Sequence, residues 1–578
     1  MYSSTVIVVL LYCTTIVQLV ATEKPNLVII VADDMGWNDV GFHGSEIPTP
    51  NLDALAYNGI ILNRHYALPS CTPSRSALLT GKYPYKLGMQ EGPLPASTSV
   101  ALDPKEIIMP QYFKELGYNT HLVGKWHLGY PTKAHLPTNR GFETFFGYLN
   151  GYLDYYDGTH FENGISGIDA WRNTTKAWQE FYDKYATTLI SDEAVNVIDK
   201  HAASGKQNGL FMVVGSPATH RGNRDIHLEP PPFTFGERLN NITDRNRRVY
   251  ADMMKGLDDC VGNITEALNR NKMINNSVIV FISDNGAATT DTQWHYENHG
   301  SNWPLKGEKM SLHEGGVRTV ATIWSSEFTN LDLQVQNRLF HISDWFPTLF
   351  AAAGGDPNKL VDIDGINHWD SLKSGKNDSP RKELVVDIQG RRNVQAYIKG
   401  KWKLIRDYER NDSRADTDDY HGMNLRGKIE YNITEIFNSK VGLAIKRSDL
   451  NENTIERLRN EATIAECCTP EEKEKSQAND CHSKYCLYNI DVDPCECNDI
   501  AATNSVIVQQ LASILEEQRK NLVEEGSFDL DSKGFPGESN YWEPWLDNEA
   551  AKGQEIAKPL MVSLTGLTLS LNLARNNN

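Results

Sequence analysis

Residues 26–34 read "NLVIIVADD", an unbroken apolar and largely β-branched run that stops at two aspartates. A strand with one wet face alternates apolar and polar residues, whereas a run apolar at every position marks a strand covered on both faces, as in parallel sheets. Two more stretches have the same form: "GLFMVVGSPATH", residues 209–220, ends in His220, and "SVIVFISDNG", residues 277–286, ends in Asp284-Asn285. Helical patterns lie between them, such as "TPNLDALAYNG", where Thr49 is placed to cap, Pro50 to sit in the first turn and Gly59 to close the end. The βαβ order predicts an α/β fold built on a large, mostly parallel sheet covered by helices. In such sheets ligands bind beyond the carboxyl ends of the strands, so the polar residues that end the three runs are expected to converge. Singly, each would read as a cap or turn residue.

Asp33, Asp34, Asp284 and Asn285 offer only hard oxygen donors. That set suits Ca2+ or Mg2+ rather than zinc or copper, so a divalent metal is expected. Three buried carboxylates without a cation would cost many kcal/mol or would take up protons.

The chain has 578 residues, 40% hydrophobic and 23% charged, the composition of an ordinary globular protein. A formal charge of −18 argues against nucleic acid or an anionic membrane as partner, so an anionic substrate must be held by local positive charge. Residues 1–22 carry one short apolar run, "VIVVLLYCTTIVQLVA", read as a secretory signal peptide, with a retained N-terminal anchor as the alternative. Asn-x-Ser/Thr sequons at Asn173, Asn241, Asn263, Asn275, Asn377, Asn411 and Asn432 agree with passage through the secretory pathway, secreted or lysosomal. Cys467, Cys468, Cys481, Cys486, Cys495 and Cys497 crowd into one loop-rich segment and predict a disulfide cluster whose pairing the sequence does not choose. Zinc is the rival, but Cys-Cys and Cys-x-Cys spacings do not match paired-ligand loops. Cys260 reads as a small buried apolar residue. Cys71 alone is left to explain.

"PSCTPSRSALLTG", residues 69–81, and "GYNTHLVGKWH", residues 117–127, resemble the two sequence signatures of the type I sulfatases, of the alkaline phosphatase-like superfamily. The resemblance continues through "SDNG", "NWPLKGEKMSLHEGGVR", "HISDWFPTL" and "CLYNIDVDPCECNDIA", and is strongest to the arylsulfatase B group. It implies that Cys71 is oxidised to Cα-formylglycine by a formylglycine-generating enzyme, and that the aldehyde hydrate attacks the sulfur of a sulfate ester. It further implies Asp33, Asp34, Asp284, Asn285 and the modified Cys71 as metal ligands, with Arg75, one helical turn after Cys71, holding the hydrate. By the same resemblance Lys125 and Lys309 bind sulfate oxygens, His127 takes a proton from the second hydroxyl, and His220 contacts sulfate and helps protonate the leaving oxygen. "LKGEK" offers Lys306 as well as Lys309. The implied substrate is a sulfated sugar, such as N-acetylgalactosamine 4-sulfate, or a small ester such as a glucosinolate. The alternatives are a phosphodiesterase or phosphonate hydrolase on the same scaffold, disfavoured by Cys71, and a catalytically inactive sulfate-binding protein, disfavoured by the complete residue set.

A catalytic domain is expected over 23–385, and a smaller α+β domain with the cysteine cluster over 386–545. The second is read from the hairpin pattern "VQAYIKGKWKLI" and from "NSVIVQQLASILEEQRKNL", in which Ile507, Leu511, Ile514, Leu515 and Leu522 make one apolar face. It predicts a small antiparallel sheet carrying one helix. Residues 546–578 form a tail whose end, "KPLMVSLTGLTLSLNLARNNN", reads either as an edge strand or as a lipid-anchor signal. His295 and His299 read as solvated loop histidines rather than substrate contacts, "HEGGVR" as a glycine turn packed under the site, and "TPEEKEKSQAND" as a solvated loop. The selectivity loops, around 150–172 and 287–301, carry no readable substrate code.

Overall fold

A computed structural model describes residues 23–205, 208–223, 228–289, 298–408, 420 and 430–547. The signal-peptide region, the sequon at Asn411, His295 and the end of the tail lie outside the described residues.

The three apolar runs form the strands Asn26–Ala32, Gly209–Gly215 and Ser277–Ser283. Asn26–Ala32 lies between the other two, parallel to both. Tyr118–Lys125 and Thr144–Tyr148 extend the parallel set, while Ala321–Ser325 adds antiparallel beside Ser277–Ser283, giving a mixed sheet of ten strands among the described residues. The chain is therefore α/β, with a large, mostly parallel sheet under helices. Its first strand shows why the run is apolar at every position. Val28, Ile30 and Ala32 enter one core, with Leu52, Leu55 and the helices Ala186–Ala203 and Arg245–Arg270; Leu27, Ile29 and Val31 enter the other, with Leu78, Phe113 and Trp345. Cys260 is fully buried in the first core.

Four antiparallel strands, Glu383–Gln389, Val394–Lys399, Trp402–Arg406 and Cys486–Asn489, make the small sheet. The helix Ser505–Arg519 packs on it through Leu511 and Leu515, with Ile507, Ile514 and Leu522 around them. The chain also returns to the large sheet: Ile436, Val441, Ile455 and Leu458 join its first core, and Trp542 and Trp545 its second.

Two local expectations are corrected. The helix at "TPNLDALAYNG" spans Pro50–Asn58, but Thr49 does not cap it, because its hydroxyl accepts the Gly41 N–H at 2.8 Å and donates to Asp53 at 3.0 Å. The stretch read as a loop at 469–480 contains the helix Pro470–Gln477. Thr469 and Glu472 close a reciprocal capping box there, a signal present in "TPEE". The six clustered cysteines pair as Cys467–Cys495, Cys468–Cys497 and Cys481–Cys486, which removes zinc as their purpose.

Candidate active site

All ten residues singled out for chemistry meet at the carboxyl ends of the central parallel strands. Cys71 is the first residue of the helix Cys71–Thr80, which places its side chain at the helix N-terminus. Ser74 anchors that start by accepting the Leu68 N–H at 2.9 Å, and Gly81 ends the helix in the left-handed region at φ 70°. Cys71, a thiol in this structure, is buried, and burial pushes its pKa up. Its Sγ stands where the oxygens of a formylglycine hydrate would lie, 3.2 Å from His127 Nδ1.

The His127 tautomer follows from its other contact. Nε2 faces the Leu94 carbonyl at 3.1 Å, an oxygen that can only accept, so Nε2 carries the hydrogen and Nδ1 directs a lone pair at position 71. Burial, followed by Lys125 and the other nearby cations, holds this imidazole well below the usual histidine range, as a neutral base. Thr72 braces the arrangement by accepting the Leu94 N–H at 3.1 Å and donating to the His127 carbonyl at 3.2 Å. Gly151 packs on the ring, where an added Cβ would lie 2.8 Å from Cε1. Asp34 and His127 both hold left-handed backbone at φ 57° and 55°, the kind of conformation that collects at functional sites.

The carboxylates are paired one by one with cations. Lys125 Nζ lies 2.7 Å from Asp33 Oδ2, Lys309 Nζ 2.7 Å from Asp34 Oδ2, and Arg75 Nη2 2.9 Å from Asp284 Oδ2. Arg75 fits because Gly215 lines its path, and a Cβ there would approach Nη1 to 3.2 Å. The electrostatic need for a metal inferred from three buried carboxylates is thus partly met by side chains whose pairing no sequence spacing reveals. The donor set still suits a hard cation. Asn285 donates its amide to Asp34 at 2.7 Å and to the Gly286 carbonyl at 2.9 Å, leaving its Oδ1 buried with no hydrogen-bond partner among the described residues. Burial pushes the Asp33 carboxyl up to about 7 despite Lys125. Ligand atoms of Asp33, Asp34 and His220 lie within 4.8 Å of one another, close enough to hold a metal ion.

His220 donates from Nδ1 to the Arg221 carbonyl at 2.9 Å and turns Nε2 toward Lys309 Nζ at 3.3 Å. Burial and the neighbouring lysines hold it well below the usual histidine range. Lys306 points elsewhere, to Ser476, so of the two lysines in "LKGEK" it is Lys309 that enters the site. His299 is tied to Asp244 at 3.1 Å and Asn246 at 3.1 Å, in a structural rather than a solvated setting. Sequence reasoning missed the Leu94 carbonyl, which no side-chain pattern encodes. It also missed Tyr152, whose ring stacks on His220 with centroids 5.5 Å apart and meets His160 at 4.5 Å.

Residues 25–355 match the family model described as Sulfatase. The chain is 40% identical over 370 residues to arylsulfatase J of Mus musculus, covering 64% of this chain and 58% of that protein. It is 32% identical over 373 residues to N-acetylgalactosamine-6-sulfatase of Homo sapiens, covering 62% and 67%. Among solved structures it resembles Ps i-CgsB in complex with k-i-k-neocarrahexaose, with a TM-score of 0.64 at 24% identity over 93% of this chain and 98% of that one.

Proposed function

Because the chain belongs to the sulfatase family, we propose that it hydrolyses a sulfate ester to an alcohol and inorganic sulfate, with Cys71 converted to formylglycine. One observation carries the reading: the unprotonated Nδ1 of His127 faces position 71 at 3.2 Å, the contact a base needs to discharge an aldehyde hydrate. In the proposed reaction one hydroxyl of the hydrate gives up its proton to the carboxylates of the site and attacks sulfur, the S–O bond to the alcohol breaks, and that oxygen takes a proton at the Lys309–His220 pair. His127 then removes the proton of the remaining hydroxyl, the carbon–oxygen bond to sulfate breaks, and the aldehyde is regenerated and rehydrated by water. Arg75 holds the hydrate, and Lys125 and Lys309 offset the charge that grows on sulfate oxygens. Asp33, Asp34, Asp284 and Asn285, with the hydrate at position 71, would hold the cation, for which Ca2+ suits the oxygen-rich set. The bound ion supplies polarisation of a sulfate oxygen and acidification of the attacking hydroxyl.

The proposed substrate is a sulfated sugar of the N-acetylgalactosamine sulfate type, a class in line with the name of the human relative; a small ester such as a glucosinolate is the second candidate. The proposed location is the secretory pathway, supported by three disulfides and by exposed sequons such as Asn241, Asn275, Asn377 and Asn432. No helix among the described residues is long and apolar enough to cross a membrane. Peptide mass spectrometry tests the reading: residue 71 should be lighter than cysteine by about 18 Da, the change from thiol to aldehyde. Purified protein should cleave an aryl sulfate in preference to an aryl phosphate diester. An unmodified thiol in active enzyme sinks the mechanism.

A further inference from the structure

The helical turn Glu314–Val317, with the loop before it, holds two parts of the site at once. Gly286, next after Asn285, donates its N–H to the Gly316 carbonyl at 2.8 Å, Gly315 donates to the Lys306 carbonyl at 2.6 Å, and Lys309 donates to the Ala287 carbonyl at 3.0 Å. The end of the Asp284-Asn285 strand and the loop carrying Lys309 therefore rest on one turn. That turn in turn rests on a residue far along the chain. Glu496 Oε2 accepts the Glu314 N–H at 2.7 Å and lies 3.0 Å from His313 Nδ1, while Oε1 lies 3.0 Å from Lys403 Nζ. Lys403, on the small sheet, also reaches Glu314 Oε1 at 2.9 Å. The loop has a second tie to the same place: Lys306 Nζ donates to Ser476 Oγ at 3.2 Å, and Ser476 Oγ donates to the Glu496 carbonyl at 2.9 Å.

Glu496 is fully buried and holds a left-handed φ of 55°, unfavourable for a residue of this type unless its surroundings impose it. The surroundings are explicit. It stands between Cys495 and Cys497, each bridged to one of the adjacent pair Cys467 and Cys468, so a disulfide grips the chain on either side of it. Buried ion pairs are weak stabilisers, since apolar replacements of similar volume are often neutral or better. Stability alone therefore gives little reason to bury Glu496, Glu314 and Lys403 together, whereas a fixed register between the cysteine cluster and the Lys309 loop does.

We propose that Glu496, clamped by the two disulfides, is a positioning residue that sets the Lys309 loop, so that the cysteine cluster controls the affinity of the site for sulfate. The inference rests on the reading of Lys309 as a sulfate ligand.

The test uses full-length enzyme, with inorganic sulfate as competitive inhibitor and an aryl sulfate as substrate, at a temperature where near-UV circular dichroism shows each variant folded. Glu496→Gln should raise both KM and the sulfate inhibition constant about 10- to 100-fold, the scale on which sub-ångström misplacement of a binding group acts. Formylglycine content at position 71 should stay unchanged. In a Lys309→Ala background the same substitution should add nothing, because both act through one ammonium group. Parental sulfate inhibition in folded Glu496→Gln overturns the proposal, as does a fully additive loss on top of Lys309→Ala. If Lys309→Ala itself leaves sulfate inhibition and turnover at parental values, the role given to Lys309 fails and takes this inference with it. If Glu496→Gln is not recovered folded, the paired Cys468→Ser, Cys497→Ser variant decides, since it opens one clamp and keeps the other. Weakened sulfate inhibition there supports the proposal, and unchanged inhibition overturns it.

Discussion

Asp33 and Asp344 are the same residue type, each 0% exposed, yet their carboxyl groups are driven in opposite directions. Burial pushes both up. At Asp33 burial prevails over Lys125, and the group rises to about 7. At Asp344 the Arg381 guanidinium and His368 outweigh burial and hold the carboxyl far below the usual carboxylate range. The donors explain the difference. Asp344 accepts from Arg381 Nε at 2.7 Å, the Ile366 N–H at 2.7 Å, the His341 N–H at 2.9 Å and His368 Nε2 at 3.2 Å, so its lone pairs are fully engaged. Among the described residues the Asp33 carboxylate accepts hydrogen bonds from Lys125 alone, has Arg75 only at 4.0 Å, and shares its surroundings with the like charges of Asp34 and Asp284. A carboxylate surrounded by donors holds the fold together; three carboxylates crowded together, one of them with its pKa held up by burial, leave a place for a cation beside the lysines.

The largest expected effect tests the reactive side of this contrast. Cys71→Ser keeps one hydroxyl where the proposed formylglycine hydrate would have two, so attack on sulfur should remain available while elimination should not. The variant should become covalently sulfated on the introduced serine and turn over at most about once, a loss of about 10⁴-fold or more in steady-state rate, on the scale of removing a nucleophile. Intact-mass analysis after incubation with an aryl sulfate checks this, and cycling near the parental rate would falsify the two-step reading.

Asp344→Asn tests the structural side. Removing one partner of a buried pair should cost about 3–5 kcal/mol near pH 7. The sign with pH follows from the depressed folded pKa: the carboxylate's contribution is full above the unfolded value of 3.8 and is lost as pH falls through the folded value. The gap between parent and variant in denaturant melts should therefore hold from neutral pH down to about 4 and close below it. A gap that widens on acidification contradicts the pairing.

The smallest effect concerns the cation. Calcium at about 100 times its dissociation constant should stabilise the parent by about 2.7 kcal/mol. Asp284→Ala, besides abolishing turnover, should lose that increment, so it should differ from the parent more in calcium than in chelator. Equal differences in both buffers would make Asp284 an anchor for Arg75 alone.

The sequence by itself determined the sheet and which residues gather at its edge. Short β-branched runs apolar at every position read as strands covered on both faces, and strands of one parallel sheet bring the residues after them, Asp33-Asp34, His220 and Asp284-Asn285, to a common edge. Cys71 and Arg75 were legible because four residues make one helical turn, and their setting in "CTPSR" carried the family resemblance. The tertiary structure alone decided the rest, because it depends on which distant groups meet. Lys309 rather than Lys306 enters the site because Ser476, on a helix formed much later in the chain, takes Lys306. The His127 tautomer is set by the Leu94 carbonyl, a main-chain group present at every position and so invisible to pattern. The cysteine pairing, and with it the burial of Glu496 against Lys403 and the 313–316 turn, arises where the small sheet docks on the large one. Period and spacing report contacts within an element, while partner choice between buried charges is fixed only when packing brings them within hydrogen-bond reach.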